Sequence, residues 1–185
     1  MSRYLPLVLY VLGIGFLLAN LRVFFQFVRF LRLRSSALLT WPGRRPPFYG
    51  LLLALGAVLS LLIVYKIAFL KQRPFAVFGE SMMLLYYTYA LPLSLRIGRG
   101  FYEDGIWAES GFIPYSQIGG LTWREEGQVT LVLMYRMRNF ARRLIVPERY
   151  YGAARRLLRD KIAAHDIHFT GKTLDLGVHD ERDDV

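Results

Sequence analysis

Hydropathy constrains this chain more than any other feature. Three apolar stretches crowd its first hundred positions, each near the roughly 20 helical residues that a bilayer core of about 30 Å requires. The first runs from Leu5 to about Phe27 and opens with Pro6, at a position where a helix start tolerates proline. It contains Asn20 and Arg22, and the long Arg22 stem can carry its guanidinium to the headgroups. Around "LLANLRVFF" there is no small-x-small cleavage pattern and the apolar character continues beyond it, so an uncleaved anchor is expected rather than a signal peptide. The second stretch, Phe48 to Leu70, offers Gly50, Ala54, Gly56, Ala57 and Ser60 for close helix contact. The third, Phe75 to Leu95, is apolar and aromatic, but Glu80 and Ser81 lie near its start and Pro92 interrupts its last turn.

Orientation follows from counting basic residues in the short loops. Arg29, Arg32, Arg34, Arg44 and Arg45 lie between the first two stretches, against Lys71 and Arg73 between the second and third. The first loop is therefore expected in the cytoplasm. With three spans the part following Arg96 and Arg99 is cytoplasmic too; if the third stretch only lies on the surface, that part changes sides. Lys66 and Glu80 are the two charges placed within membrane depth near the outer interface. They could serve a proton or ion relay, or simply snorkel or pair with each other across the short turn. The spans hold no further acidic or histidine chain to continue a relay.

After Gly98 and Gly100 the apolar runs become short and alternating, the signature of strands. Asp104-Gly105 is a two-residue hairpin signal, and another turn follows near Ser110-Gly111. Glu125, Glu126 and Gly127 separate "IGGLTW" from "QVTLVLMYRM", in which Val129, Leu131, Leu133 and Tyr135 share a face. A turn at Arg138-Asn139 leads to "ARRLIV". An antiparallel sheet of about five or six strands is expected. Pro147 then starts a helix whose Glu148 suits the positive end of the helix dipole. Tyr151, Ala154, Leu158, Ile162 and His165 form its apolar stripe, with Arg155, Arg156, Arg159 and Lys161 away from it. The division expected is a membrane domain over 1–97, a β domain over 98–168 and an acidic flexible tail over 169–185. The fold class is α+β: transmembrane helices, then a small antiparallel domain closed by a C-terminal helix.

The stretch "GIWAESGFIPYSQIGGLTW", a following strand pair and "LIVPERYYGAARRLL" resemble bacterial membrane-anchored PH-like domains of the YcxB-like and DUF5673 kind. The matching positions are Gly105, Ile106, Pro114, Tyr115, Ile118, Trp123, Val146 and Pro147, within roughly Gly100 to Ala164; Tyr115 stands where such families often carry tryptophan. The resemblance implies a PH-like fold, a curved antiparallel sheet closed by one C-terminal helix. It implies no catalytic residues.

Chemistry is narrowed by what the chain lacks. With no cysteine there is no disulfide, thiolate metal site or cysteine nucleophile. His165, Asp166 and His168 have a spacing that one helical turn could gather, but no fourth ligand is evident. Ser110 and Ser116 lack a nucleophile elbow, and no glycine-rich phosphate loop is present. The carboxylates Glu103, Asp104, Glu109, Glu125 and Glu126 fall at strand ends and turns, where solvation explains them. Trp107 and Trp123 suit a core or rim pair. No enzyme activity, cofactor or metal is expected.

The candidate binding residues are Arg136, Arg138, Arg142 and Arg143, clustered around one turn. The formal charge of +10 comes in short clusters beside apolar runs, which suits anionic lipid headgroups or an acidic protein surface better than a nucleic-acid groove. The expected function is binding or scaffolding at the cytoplasmic face of the inner membrane. The alternative is an accessory subunit of a larger membrane complex, contacting other subunits through its helices.

Overall fold

The computed structural model describes residues 5–124, 127–136, 140–164 and 167. The chain divides into two compact units: Met1–Ser35 with Pro42–Gly98, and Ser36–Trp41 with Arg99–Val185.

In the first unit, helix α1 spans Leu5–Leu33. It runs past the expected end near Phe27 because "VRFLRL" contains no helix breaker, and so carries Arg29 and Arg32 on its last turns. Helix α2 is Tyr49–Ala68. Both are long and apolar enough to cross a membrane. The third stretch is helical from Phe78: α3 (Phe78–Leu85), a π turn (Tyr86–Ala90) and α4 (Leu91–Arg96) follow one another directly. The π turn has a local cause. Pro92 has no N–H and its ring crowds the carbonyl four residues back, so the ladder widens ahead of it and the Leu91 N–H bonds to Tyr86 O, five residues back. The Thr88 and Ser94 hydroxyls donate to Leu84 O and Leu91 O, each at 2.7 Å.

Small residues set the helix spacing. A Cβ on Gly79 would collide with the Leu9 carbonyl of α1, and one on Gly13 would lie 2.8 Å from the Phe78 ring. On α2, a Cβ at Gly56 would sit 2.9 Å from Thr88 Cγ2, whereas Gly50 has nothing within 4 Å. Gly56→Leu should therefore destabilise the helix unit itself, by about 1–3 kcal/mol for overpacking. The check is the melting temperature of the detergent-solubilised chain, which should fall for Gly56→Leu and stay level for Gly50→Leu.

The second unit has seven strands among the described residues, in two antiparallel sheets ordered β1-β2-β3-β4 and β5-β6-β7. Strands β2 (Arg99–Tyr102), β3 (Gly105–Ala108) and β4 (Gly111–Pro114) form successive hairpins. Strands β5 (Ile118–Arg124), β6 (Thr130–Tyr135) and β7 (Ala141–Ile145) form the other sheet. The count exceeds the expected five or six because β1 (Ala37–Trp41) comes from the loop between α1 and α2. It pairs with β2, with Leu39 opposite Phe101 and Trp41 opposite Arg99. Gly100 makes this pairing possible: its φ of +128° is open to glycine, and a Cβ there would collide with Leu39 O. The first turn is also shifted from expectation. Glu103 and Asp104 make it, while Gly105 already pairs with Tyr102.

The core lies between the inner sheet faces. Phe101, Ile106 and Ile113 come from one sheet, Leu131, Leu133 and Leu144 from the other, and α5 (Glu148–Ala163) closes it with Ala154 and Leu158. The expected face of β6 is present, with Leu131 and Leu133 fully buried and Val129 and Tyr135 packed beside them. Trp41 joins this core: its ring stacks on Tyr150 at 5.5 Å, and its Nε1 donates to Ile145 O at 3.1 Å. Trp107 and Trp123 are not a pair. Trp107 is buried on the opposite face of the first sheet with Tyr102 and Phe112, whereas Trp123 meets Tyr151 of α5 edge-on at 5.1 Å. Burial pushes the Tyr102 phenol up to about 12. Lys161, expected on the outer side of α5, instead donates to the Glu103 carbonyl at 3.1 Å and lies over the Tyr115 ring. Its long stem lets it leave the solvent face.

Candidate functional site

The end of β6 and the start of β7 meet the turn that joins the two sheets. The Tyr135 N–H donates to Phe140 O at 3.1 Å, closing the hairpin base, and the Arg136 N–H donates to Gln117 O at 2.8 Å. These bonds bring a 3-10 turn, Tyr115–Gln117, beside the β6–β7 hairpin. A pocket of about 950 Å³ lies there, lined by Ser110, Ser116, Gln117, Tyr135, Arg136, Phe140, Ala141 and Arg142.

Strand register sorts the expected arginines. Arg142 stands opposite Leu133 and Arg143 opposite Val132. Directly paired residues share a face and neighbours alternate, so Arg142 shares the Leu133 side and lines the pocket while Arg143 belongs to the other face. Arg136, just beyond the end of β6 and so outside this alternation, also lines the pocket, while Arg143 does not despite its adjacency to Arg142 in sequence. Arg138 lies outside the described residues, as do the turn at Arg138-Asn139, Glu125, Glu126, His165, Asp166, His168 and the segment 169–185. The Arg142 guanidinium is held 5.2 Å above the Tyr135 ring, a cation–π contact that restricts where its fork can point.

The described lining carries two cations and no carboxylate. Glu109, adjacent in sequence to the lining residue Ser110, is engaged in an ion pair with Arg99, whose own pKa is lowered by burial. Meanwhile the Glu109 N–H donates to Arg143 O at 3.0 Å, joining the β3–β4 turn to β7. In the sequence, Ser110 reads as part of a turn and, like Ser116, as a hydroxyl without a nucleophile elbow, and neither Gln117 nor Phe140 stands out as a binding residue. "YSQ" following Pro114 marks a turn that presents polar side chains, Gln117 among them, and no local pattern marks Phe140.

In the helix unit, Lys66 of α2 and Glu80 of α3 form an ion pair. The Glu80 side chain is buried, and its Oε2 has no hydrogen-bond partner among the described residues. Asn20 is also buried and donates from Nδ2 to Met82 O at 3.1 Å. The pairing of Lys66 with Glu80 named among the sequence readings is thus present. Arg22 is exposed on α1.

No family model matches the chain, and no curated protein or solved structure matches it. What fold and site define is a class: an α+β protein with two membrane-length apolar helices and a separate two-sheet unit closed by a helix and bearing a cationic pocket.

Proposed function

We propose that this protein is a three-span inner-membrane protein that presents a cytoplasmic PH-like domain as a non-catalytic binding or scaffolding module. The observation that carries the reading is β1. It lies between α1 and α2 in sequence and pairs with β2, which follows α4. If α1 and α2 cross the bilayer, residues 37–41 and 99–102 must share one side. The segment after α2 then has to bring the chain back. From Phe78 to Arg96 the helix reaches about 28 Å at 1.5 Å per residue, close to the bilayer core. Exposed Leu7, Val11, Phe24 and Phe25 on α1, and Leu51, Leu61 and Phe69 on or beside α2, suit lipid-facing surfaces rather than a soluble core. The arginines around β1 favour the cytoplasm for the shared side.

The PH-like part is supported by a meander of antiparallel strands that ends in a helix, with Pro114 and Tyr115 at the corner between sheets and Val146-Pro147 leading into α5. Tethering to a membrane raises the effective concentration of the module toward any target there, so even weak contacts count. The accessory-subunit alternative is weakened at Gly56, which is occupied within the unit by Thr88.

The absence of cysteine permits a direct test of topology with single-cysteine variants. Gln72→Cys, between α2 and α3, should react with a membrane-impermeant maleimide on intact cells. Gly152→Cys, whose Cβ has open space on α5, should react only after the membrane is opened. Labelling of both from the same side would remove the third span from the proposal.

A further inference from the structure

We propose that the pocket between the Tyr115–Gln117 turn and the β6–β7 hairpin binds a phosphate monoester carried on a small polar body. This rests on the reading of the sheet unit as a binding module and gives that module a ligand class. Two arginines line the same pocket, Arg136 just past the end of β6 and Arg142 on β7. Ser110, Ser116 and Gln117, from two other turns, line it as well and carry neutral hydrogen-bonding groups. A planar carboxylate is satisfied by one fork, whereas a phosphate monoester carries about −1.5 to −2 charge and three acceptor oxygens, which matches two cations and several donors. No described lining residue is acidic to oppose it, and Glu109 is paired with Arg99.

Size extends the inference beyond a bare anion. The pocket's 950 Å³ lies within the range of about 300–1,000 Å³ for small-molecule sites, leaving room beside the phosphate for a body resting on Tyr135 and Phe140. Phe140 is 68% exposed and offers an accessible ring at this pocket. Arg142 is already held over Tyr135, so less ordering is required when the ligand arrives. A lipid headgroup and a soluble phosphorylated metabolite share this chemistry.

The experiment uses the full chain in phosphatidylcholine nanodiscs, titrated calorimetrically with glycerol 3-phosphate. A second arm uses discs containing about one part in ten phosphatidic acid and reads lipid retained on the protein by native mass spectrometry. Saturable binding in either arm is expected, and should weaken about a hundredfold in the Arg136→Gln/Arg142→Gln variant, two charge-assisted contacts being lost. Arg143→Gln, on the other face, should bind as the parent does and controls for general loss of charge. Uptake of the soluble ester identifies a free metabolite as the source; retention of phosphatidic acid alone identifies a headgroup. Absence of binding in both arms, or equal loss in Arg143→Gln, overturns the proposal. Nanodiscs expose both faces of the protein, so an error in topology would change the cysteine labelling and leave this result intact.

Discussion

Trp41→Ala, a change in the loop between the first two helices, is expected to unfold the sheet unit and leave the helices in the membrane. Truncating a buried tryptophan costs about 3–5 kcal/mol, against a total domain stability of about 5–15 kcal/mol. The loss here has three parts. Trp41 is 5% exposed and packs with Phe101 and Tyr150. Its Nε1 satisfies the carbonyl of Ile145, at the end of β7. It also ends β1, the edge of the first sheet, so its removal loosens a strand flanked, before Ser36 and after Trp41, by chain that belongs to the helix unit. Limited proteolysis of isolated membranes is the measurement. The parent should resist cleavage across β2 to β6, and Trp41→Ala should be cut there while the helices stay resistant to carbonate extraction. Trp41→Phe separates the causes, since it keeps most of the ring packing and loses only the N–H donor; it should fall between the two. A proteolytic pattern identical to the parent's would mean that β1 contributes nothing to the sheet.

This prediction could not have been made from the sequence, and the reason is physical. The apolar lengths of α1 and α2 are local, and so they were legible. So were most strands after Gly98, because period-two alternation and turn residues are local as well. "ALLTW", bounded by Ser35-Ser36 and Pro42, carries a strand signal of its own, but its partner lies beyond two further helical segments. The π turn was foreshadowed by Pro92, which marks where a ladder must fail without saying how the failure is absorbed.

The arginine turn shows the same division at the scale of one site. Adjacency in sequence joined Arg142 to Arg143, yet strand geometry separates adjacent side chains by construction. Arg136 and Arg142 share a pocket because a backbone bond from Arg136 to Gln117 draws the corner between sheets toward the hairpin. The pocket's volume depends on how far two sheets splay at that corner. No short-range pattern encodes that splay, so Gln117 and Phe140 carried no functional signal until the fold was known.

Lys66→Met should destabilise the helix unit by about 3 kcal/mol, and adding Glu80→Met should recover most of it. Breaking a buried ion pair by removing one partner costs about 3–5 kcal/mol, because the other charge is left buried alone. The lower end applies, since the Lys66 side chain retains 22% exposure while that of Glu80 retains 3%. Glu80 is the partner with more to lose: its Oε2 already lacks a hydrogen bond among the described residues, so the lysine is the compensation visible for its charge. Replacing both groups by apolar side chains removes the desolvation penalty along with the attraction, which is often neutral or stabilising. Thermal unfolding of the four members of this double-mutant cycle in one detergent gives the coupling directly. A structural pair predicts that the double variant stays assembled and that the sheet unit still binds its ligand. A relay that uses the same two charges predicts a double variant that is assembled and inactive. If Lys66→Met alone melts with the parent, the pair holds nothing together, and Glu80 must find its stabilisation from water or from lipid headgroups at the helix end.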